Sequence, residues 1–243
     1  MRQYSVSPTA RLWNMDDKSL ERDLYDYNIK IKHDPSNHEL YLKRATVNEM
    51  MGAYSCAAKD LTCAMNLDPE KKRFYLYRRY QQYMLKGNFK NALEDILEAI
   101  SLAPDESYLE AHAYVYKQMG QIDKAIEVLS EGIKKAPEKR YLYLYRAAFY
   151  EGIGCFQEAI SDVTHAINMS QTPWIYYHDR VSIYLKSKQY DEALNDCNKC
   201  IESNPKDWTH YRMRSEVYEA MGKKDHANSD YQMSLEYNPS IVR

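Results

Sequence analysis

Between Tyr108 and Met119 the chain carries no glycine or proline, and Gly120 ends the run. Gln121-Ile122-Asp123 then turns the chain. Ala125, Leu129, Gly132 and Ala136 follow at steps of four, three and four, which places them on one face of a helix. Pro137 stops that helix, because proline lacks an N–H and its ring clashes with the preceding turn. The pattern predicts two helices joined by a short turn. Glycine suits that turn, since a helix commonly ends on a residue in the left-handed conformation.

The same unit recurs along the chain. Apart from Pro8, the prolines fall at 35, 69, 104, 137, 173, 205 and 239, with gaps of 34, 35, 33, 36, 32 and 34 residues. Ala57, Ala92, Ala125, Ala159, Ala193 and Ala227 keep the same period. So do Gly52, Gly87, Gly120, Gly154 and Gly222, five of the seven glycines. Three residue types in one phase indicate a solenoid of stacked helix pairs. Small residues recur near the middle of the first helices (Ala45, Ala113, Ala147, Ser215) and near the ends of the second (Ala64, Ala99, Gly132, Ala166, Cys200, Ser234), where they let helices approach closely. Tyr83, Tyr116, Tyr150, Tyr184 and Tyr218 are expected to fill the remaining space against the large residues of the second helices.

This pattern resembles the tetratricopeptide repeat family over residues 38 to 239. The resemblance implies an all-α fold, a right-handed superhelical solenoid of antiparallel helix pairs. Six repeats are expected, at about 38–71, 73–106, 106–139, 140–173, 174–207 and 208–241. A capping helix is expected over 17–36 and an N-terminal arm over 1–16, with Trp13 unplaced. Four positions depart from the repeat. Tyr80 and Val181 occupy the small slot, Asn48 replaces an aromatic and Lys188 replaces the turn glycine. Looser or shifted packing is expected there.

The resemblance also implies function: a scaffold or adaptor whose first helices line a concave groove that holds a peptide or protein segment. The residues expected to face inward are Lys43, Tyr77, Arg78, Gln81, Glu110, Tyr114, Lys117, Tyr141, Tyr145, His178 and Arg212. Tyrosine supplies large contact area at low entropic cost. A mixed aromatic and polar groove suits a peptide with a few apolar anchors. For each tyrosine the alternative is packing between repeats. The clamp by which some repeats of this kind grip the C-terminal carboxylate of heat-shock chaperones is absent, since its expected lysine and asparagine slots hold Leu42 and Thr46. A secretion-type or other chaperone is the alternative reading, although such chaperones are usually shorter.

Charge narrows the choice further. Lysine and arginine total 33 against 35 acidic residues, a net charge of −2. An RNA-binding helical repeat would carry a basic excess to neutralise phosphate, so nucleic acid is not expected. Two segments are locally basic and aromatic, residues 71–80 and 139–146, each opening a first helix. They are either charge clusters balanced by nearby glutamates or a docking place for an anionic partner. The apolar residues of the last second helix, Tyr231, Met233, Leu235 and Tyr237, have no following repeat in the chain. Self-association there is one expectation; a chain cut from something longer, or tolerated exposure, are the others.

No apolar run approaches the roughly 20 residues of a membrane span, and the first residues do not form a signal peptide. Five cysteines scattered through helical pattern suggest reduced thiols and a cytoplasmic protein. Cys197-x-x-Cys200 falls in packing slots of the repeat, and Cys56 and Cys63 are expected in the core as well. The histidines fall singly, and no catalytic or phosphate-binding motif occurs. No enzyme activity, cofactor or metal is expected.

Overall fold

In the computed structural model, residues 17–103 and 108–241 are described. The N-terminal arm expected over residues 1–16 lies outside them, as does Pro104. The chain forms two compact units, Met1–Gly120 and Gln121–Arg243. In the first unit the helices are α1 (Asp17–His33), α2 (His38–Met50), α3 (Tyr54–Leu67), α4 (Lys72–Leu85), α5 (Phe89–Leu102) and α6 (Leu109–Gln118). In the second they are α7 (Ile122–Lys135), α8 (Arg140–Gly152), α9 (Phe156–Asn168), α10 (Trp174–Lys186), α11 (Tyr190–Ser203), α12 (Trp208–Ala220) and α13 (Lys224–Tyr237). No strand occurs among the described residues. Within each unit every helix packs against the next one in the chain.

The small residues sit where helices cross. Ala57, Ala64, Ala92 and Ala99 are fully buried, as are Ala125, Ala159, Ala166 and Ala193. Ala45, Ala57, Leu61, Ala64 and Tyr75 form one core cluster, and Ala147, Ala159, Val163, Ile167 and Ile183 form another. The steps from Ala57 to Leu61 to Ala64 are four and three, the spacing of one helical face. Tyr80 and Val181 fit the small slot without opening it, since both are buried.

The turn between paired helices uses one device. Gly87 has φ +74°, its N–H donates to the Met84 carbonyl (3.0 Å), and the Asn88 N–H reaches the Tyr83 carbonyl (2.8 Å). These bonds satisfy carbonyls that the helix end leaves unpaired. Lys188 adopts the same geometry at φ 59°, with Gln189 donating to the Tyr184 carbonyl (2.9 Å). A side chain with a Cβ is strained there, so Lys188 carries a local cost in place of a shifted turn.

A polar interaction recurs inside this apolar frame. The pairs are Arg44–Asp60 and Arg79–Asp95 in the first unit, and Arg146–Asp162, Arg180–Asp196 and Arg214–Asp230 in the second. Each arginine donates Nε–H and Nη2–H to the two carboxylate oxygens at 2.6–2.9 Å, joining the first helix of a pair to its second. The remaining Nη1 reaches the preceding second helix, or α1, at 2.7–2.9 Å. Its acceptors are Asn28, Thr62, Ser130, Thr164 and Asn198 in turn. All five aspartates are buried. Their hydrogen bonds hold Arg44, Arg79, Arg146 and Arg214 above the ordinary guanidinium pKa. Asn48, in the aromatic slot, joins the network by donating to Asp60 Oδ2 (3.0 Å).

Two stability predictions follow from these geometries. Lys188→Gly relieves the left-handed strain at some cost in chain entropy, and is expected to stabilise the protein by about 1 kcal/mol. Asp196→Ala removes the buried carboxylate that neutralises the largely enclosed Arg180 and is expected to destabilise by about 3–5 kcal/mol. Urea melts followed by circular dichroism check both. An Asp196→Ala chain as stable as the parent would show that the pair contributes nothing.

Candidate partner-binding faces

The first helices of each unit share one face. In the first unit it is built from α2, α4 and α6. Lys43, Tyr114 and Lys117 are exposed there, Tyr114 at 44%. Gln81 and Glu110 are half-buried. Arg78 is engaged across the face, donating Nη2–H to Glu49 Oε2 at 2.9 Å on α2. Tyr77 stacks on Tyr80 (5.5 Å between centroids) and meets Tyr108 edge-on (5.2 Å). Burial, and then the nearby charge of Glu110, push its phenol pKa up. Tyr77 therefore packs between α4 and α6 and turns only part of its ring outward.

In the second unit the face is built from α8, α10 and α12. Tyr141 and Tyr145 meet edge-on at 6.1 Å, and both are half-buried. Tyr141, Leu144 and Tyr176 line an open cleft of about 360 Å³, with Glu138, Lys139 and Arg140 on its sides. The Arg140 guanidinium lies over the Tyr176 ring at 5.2 Å. Arg212 lies 4.9 Å over the Tyr231 ring and 3.6 Å from Glu216. Tyr211 covers part of Tyr237, at 5.5 Å between rings. His178 approaches His210, 5.1 Å between ring centroids.

The basic segments are largely consumed by intramolecular partners. Lys72 pairs with Glu98 (2.5 Å), Arg73 lies 4.4 Å over the Tyr108 ring, and Arg79 holds Asp95. In the other segment Arg146 holds Asp162, and Arg140 also donates to the Met169 carbonyl (3.3 Å). Of these contacts the Lys72–Glu98 pair is of the kind the balanced-cluster expectation named; the others are to aspartates, a ring and a carbonyl.

The cysteines divide in a way the repeat phase did not predict. Cys197 and Cys200 are buried, but Cys56 and Cys63 are exposed on α3, which corrects the expectation that they lie in the core. They stand one position before Ala57 and one before Ala64, so a step along the helix carries them off the packed face. Burial raises both buried thiols, Cys200 to about 12 and Cys197 further. The histidines are not all single either. The donor atoms of His178, Cys200 and His210 all lie within 4.8 Å of one another.

The fold is that of a helical-repeat protein assembled from antiparallel helix pairs. A family model described as tetratricopeptide repeat matches residues 83–106, 107–139 and 176–207. Those segments are tetratricopeptide repeats, and the chain is similar to tetratricopeptide repeat proteins in the helix-pair fold of its described residues. No curated protein sequence matches it. Solved structures show likeness in fold. The C-terminal part of a repeat-containing protein from Cytophaga hutchinsonii is 17% identical, with a TM-score of 0.65, over 82% of this chain and 80% of that one. The MamA protein is 20% identical with a TM-score of 0.57, over 70% and 94%. A chain of the anaphase-promoting-complex hetero-tetramer Cut9–Hcn1 is 16% identical with a TM-score of 0.53, over 92% and 44%. No helix among the described residues is long and apolar enough to cross a membrane.

Thiol accessibility checks the division of cysteines. In the native protein a chromogenic disulfide reagent is expected to modify Cys56 and Cys63 rapidly. Cys197 and Cys200 should react only after denaturant is added. Rapid native modification of Cys197 would contradict the packing described.

Proposed function

We propose that the protein is a non-catalytic scaffold or adaptor that holds a peptide or protein segment on its first-helix faces. The observation that carries the proposal is the cleft of the second unit. Tyr141, Leu144 and Tyr176 make an aromatic and aliphatic floor, while Glu138, Lys139 and Arg140 supply polar and charged groups beside it. Such a cleft accepts one apolar anchor of a peptide, and the polar rim orients the segment around it. In the first unit the exposed Tyr114, between the exposed lysines Lys43 and Lys117 in chain order, offers a second aromatic contact. The fold relative in Cut9–Hcn1 is part of a hetero-tetramer, in keeping with an assembly role. Self-association through α13 is a separate proposal; Tyr237 is 37% exposed there.

The test is partner capture from the native cell by the parent chain and by a Tyr141→Ala/Tyr145→Ala chain, with affinities then measured on the purified partner. The double variant is expected to keep its thermal unfolding profile and to bind at least about tenfold more weakly, the loss typical of a buried aromatic anchor. Unchanged affinity with an intact fold would sink the proposal for this face. Salt-sensitive retention of RNA, with no protein partner, would replace it by a different function. Light scattering that finds only monomer at high concentration would exclude self-association.

A further inference from the structure

We propose that His178, Cys200 and His210 form a binding site for a transition-metal dication of the zinc type, bridging α10, α11 and α12.

The three residues come from different helices of the second unit and converge on one point, with donor atoms within 4.8 Å of one another. His210 is fully buried, and its Nε2 has no hydrogen-bond partner among the described residues. Its other nitrogen, Nδ1, lies 3.2 Å from the Asn204 carbonyl oxygen. A carbonyl only accepts, so Nδ1 carries the hydrogen and the neutral ring keeps its lone pair on Nε2. That is how metal-binding histidines are held, with the far nitrogen donating to a backbone carbonyl and the near one presented to the ion. A buried lone pair without a partner is unfavourable, and a cation removes the deficit.

The repeat supplies a second, independent reason. The position of Cys200 holds Ala64, Ala99, Gly132 and Ala166 in the preceding repeats. The position of His210 holds Tyr75, Tyr108, Leu142 and Tyr176, and that of His178 holds Leu42, Tyr77, Glu110 and Leu144. Packing alone therefore calls for neither a thiol nor an imidazole in these slots, yet all three donors stand at one locus.

The donors select the ion. One sulfur and two imidazole nitrogens suit Zn²⁺ and exclude the oxygen-seeking Ca²⁺ and Mg²⁺. Bonds of about 2.0 Å to nitrogen and 2.3 Å to sulfur place tetrahedral donors about 3.3–3.5 Å apart, so donors now within 4.8 Å of one another converge by up to about an ångström on binding. Cys200 gives up its thiol proton to solvent as the Zn–S bond forms. Solvent takes the fourth position, and Asp207 stands beside the three donors. Its Oδ1 is engaged by the Thr209 N–H (3.0 Å) and Oγ1–H (2.6 Å), and its Oδ2 lies 3.8 Å from His210 Nε2. An ion here ties the last two helix pairs together and stiffens the face that α10 and α12 share.

The experiment uses the full, tag-free chain, stripped with a chelator and then titrated with Zn²⁺ and with Co²⁺ as a spectroscopic probe. Expected are one equivalent of Zn²⁺ per chain, a raised unfolding temperature, and a thiolate-to-Co²⁺ charge-transfer band. The repeat offers fold-compatible controls: Cys200→Ala and His210→Leu restore residues that other repeats hold in those slots. Each is expected to unfold like the stripped parent, to lose the Co²⁺ band or weaken it, and to bind Zn²⁺ about 100-fold more weakly. A Cys56→Ser/Cys63→Ser chain should bind as the parent does, which separates this site from the exposed thiols. Absence of stoichiometric Zn²⁺ binding, or equal binding by the parent and Cys200→Ala, would overturn the assignment.

Discussion

Five helix pairs, two in the first unit and three in the second, are each held in register by an arginine whose three donor groups are spent on two different helices. Within a pair, Nε and Nη2 grip a buried aspartate on the second helix, and Nη1 reaches back to the helix before. Apolar contacts between helices are non-directional, and alanine-rich faces slide at little cost. A bidentate guanidinium–carboxylate contact is planar and short, so it tolerates no slide. Once buried it is also costly to break, because either partner alone would be an uncompensated charge. In those five pairs the register of the two helices depends on this contact keeping its place.

The same contact gives several of the tyrosines a role. Arg79 lies over Tyr83, Arg146 over Tyr143 and Tyr150, Arg180 over Tyr177 and Tyr184, and Arg214 over Tyr211, with 5.5–5.9 Å from guanidinium carbon to ring centre. These tyrosines stand three residues before or four after the arginine, the spacing that puts side chains together on a helix. A tyrosine ring gives the cation an attractive face, and its hydroxyl can reach polar surroundings where a phenylalanine edge could not. The intermediate repeat shows the contrast. His112 and Val128 stand at the arginine and aspartate positions. The His112 Nε2 is buried without a partner among the described residues, and burial lowers that ring's pKa.

The faces proposed to bind a partner are what remains after these internal demands are met. Arg78 neutralises Glu49, Tyr77 fills the space between α4 and α6, and Arg212 shields Tyr231. Of the residues first expected to face inward, several therefore serve the packing of the faces themselves. Lys43, Tyr114 and Lys117 stay exposed, and Tyr141 borders an open cleft. The distribution suits a partner that is recognised by a few aromatic anchors more than by a continuous charged strip.

Periodicity alone sufficed for the fold, because proline, glycine and alanine each do one geometric task and must recur wherever that task recurs. The turn at Lys188 could be placed from its neighbours although its residue was wrong for it. The arginine and aspartate pairs were equally periodic in the sequence, but nothing in one dimension says that residues 16 apart on different helices share a hydrogen bond. The burial of single positions was less legible. Cys56 and Cys63 lie one step along the helix from buried alanines, and that rotation of about 100° decides between core and solvent. The meeting of His178, Cys200 and His210 was decided only by tertiary structure. Those residues belong to three helices and to no common sequence motif, and only the stacking of one pair on the next brings their donor atoms together.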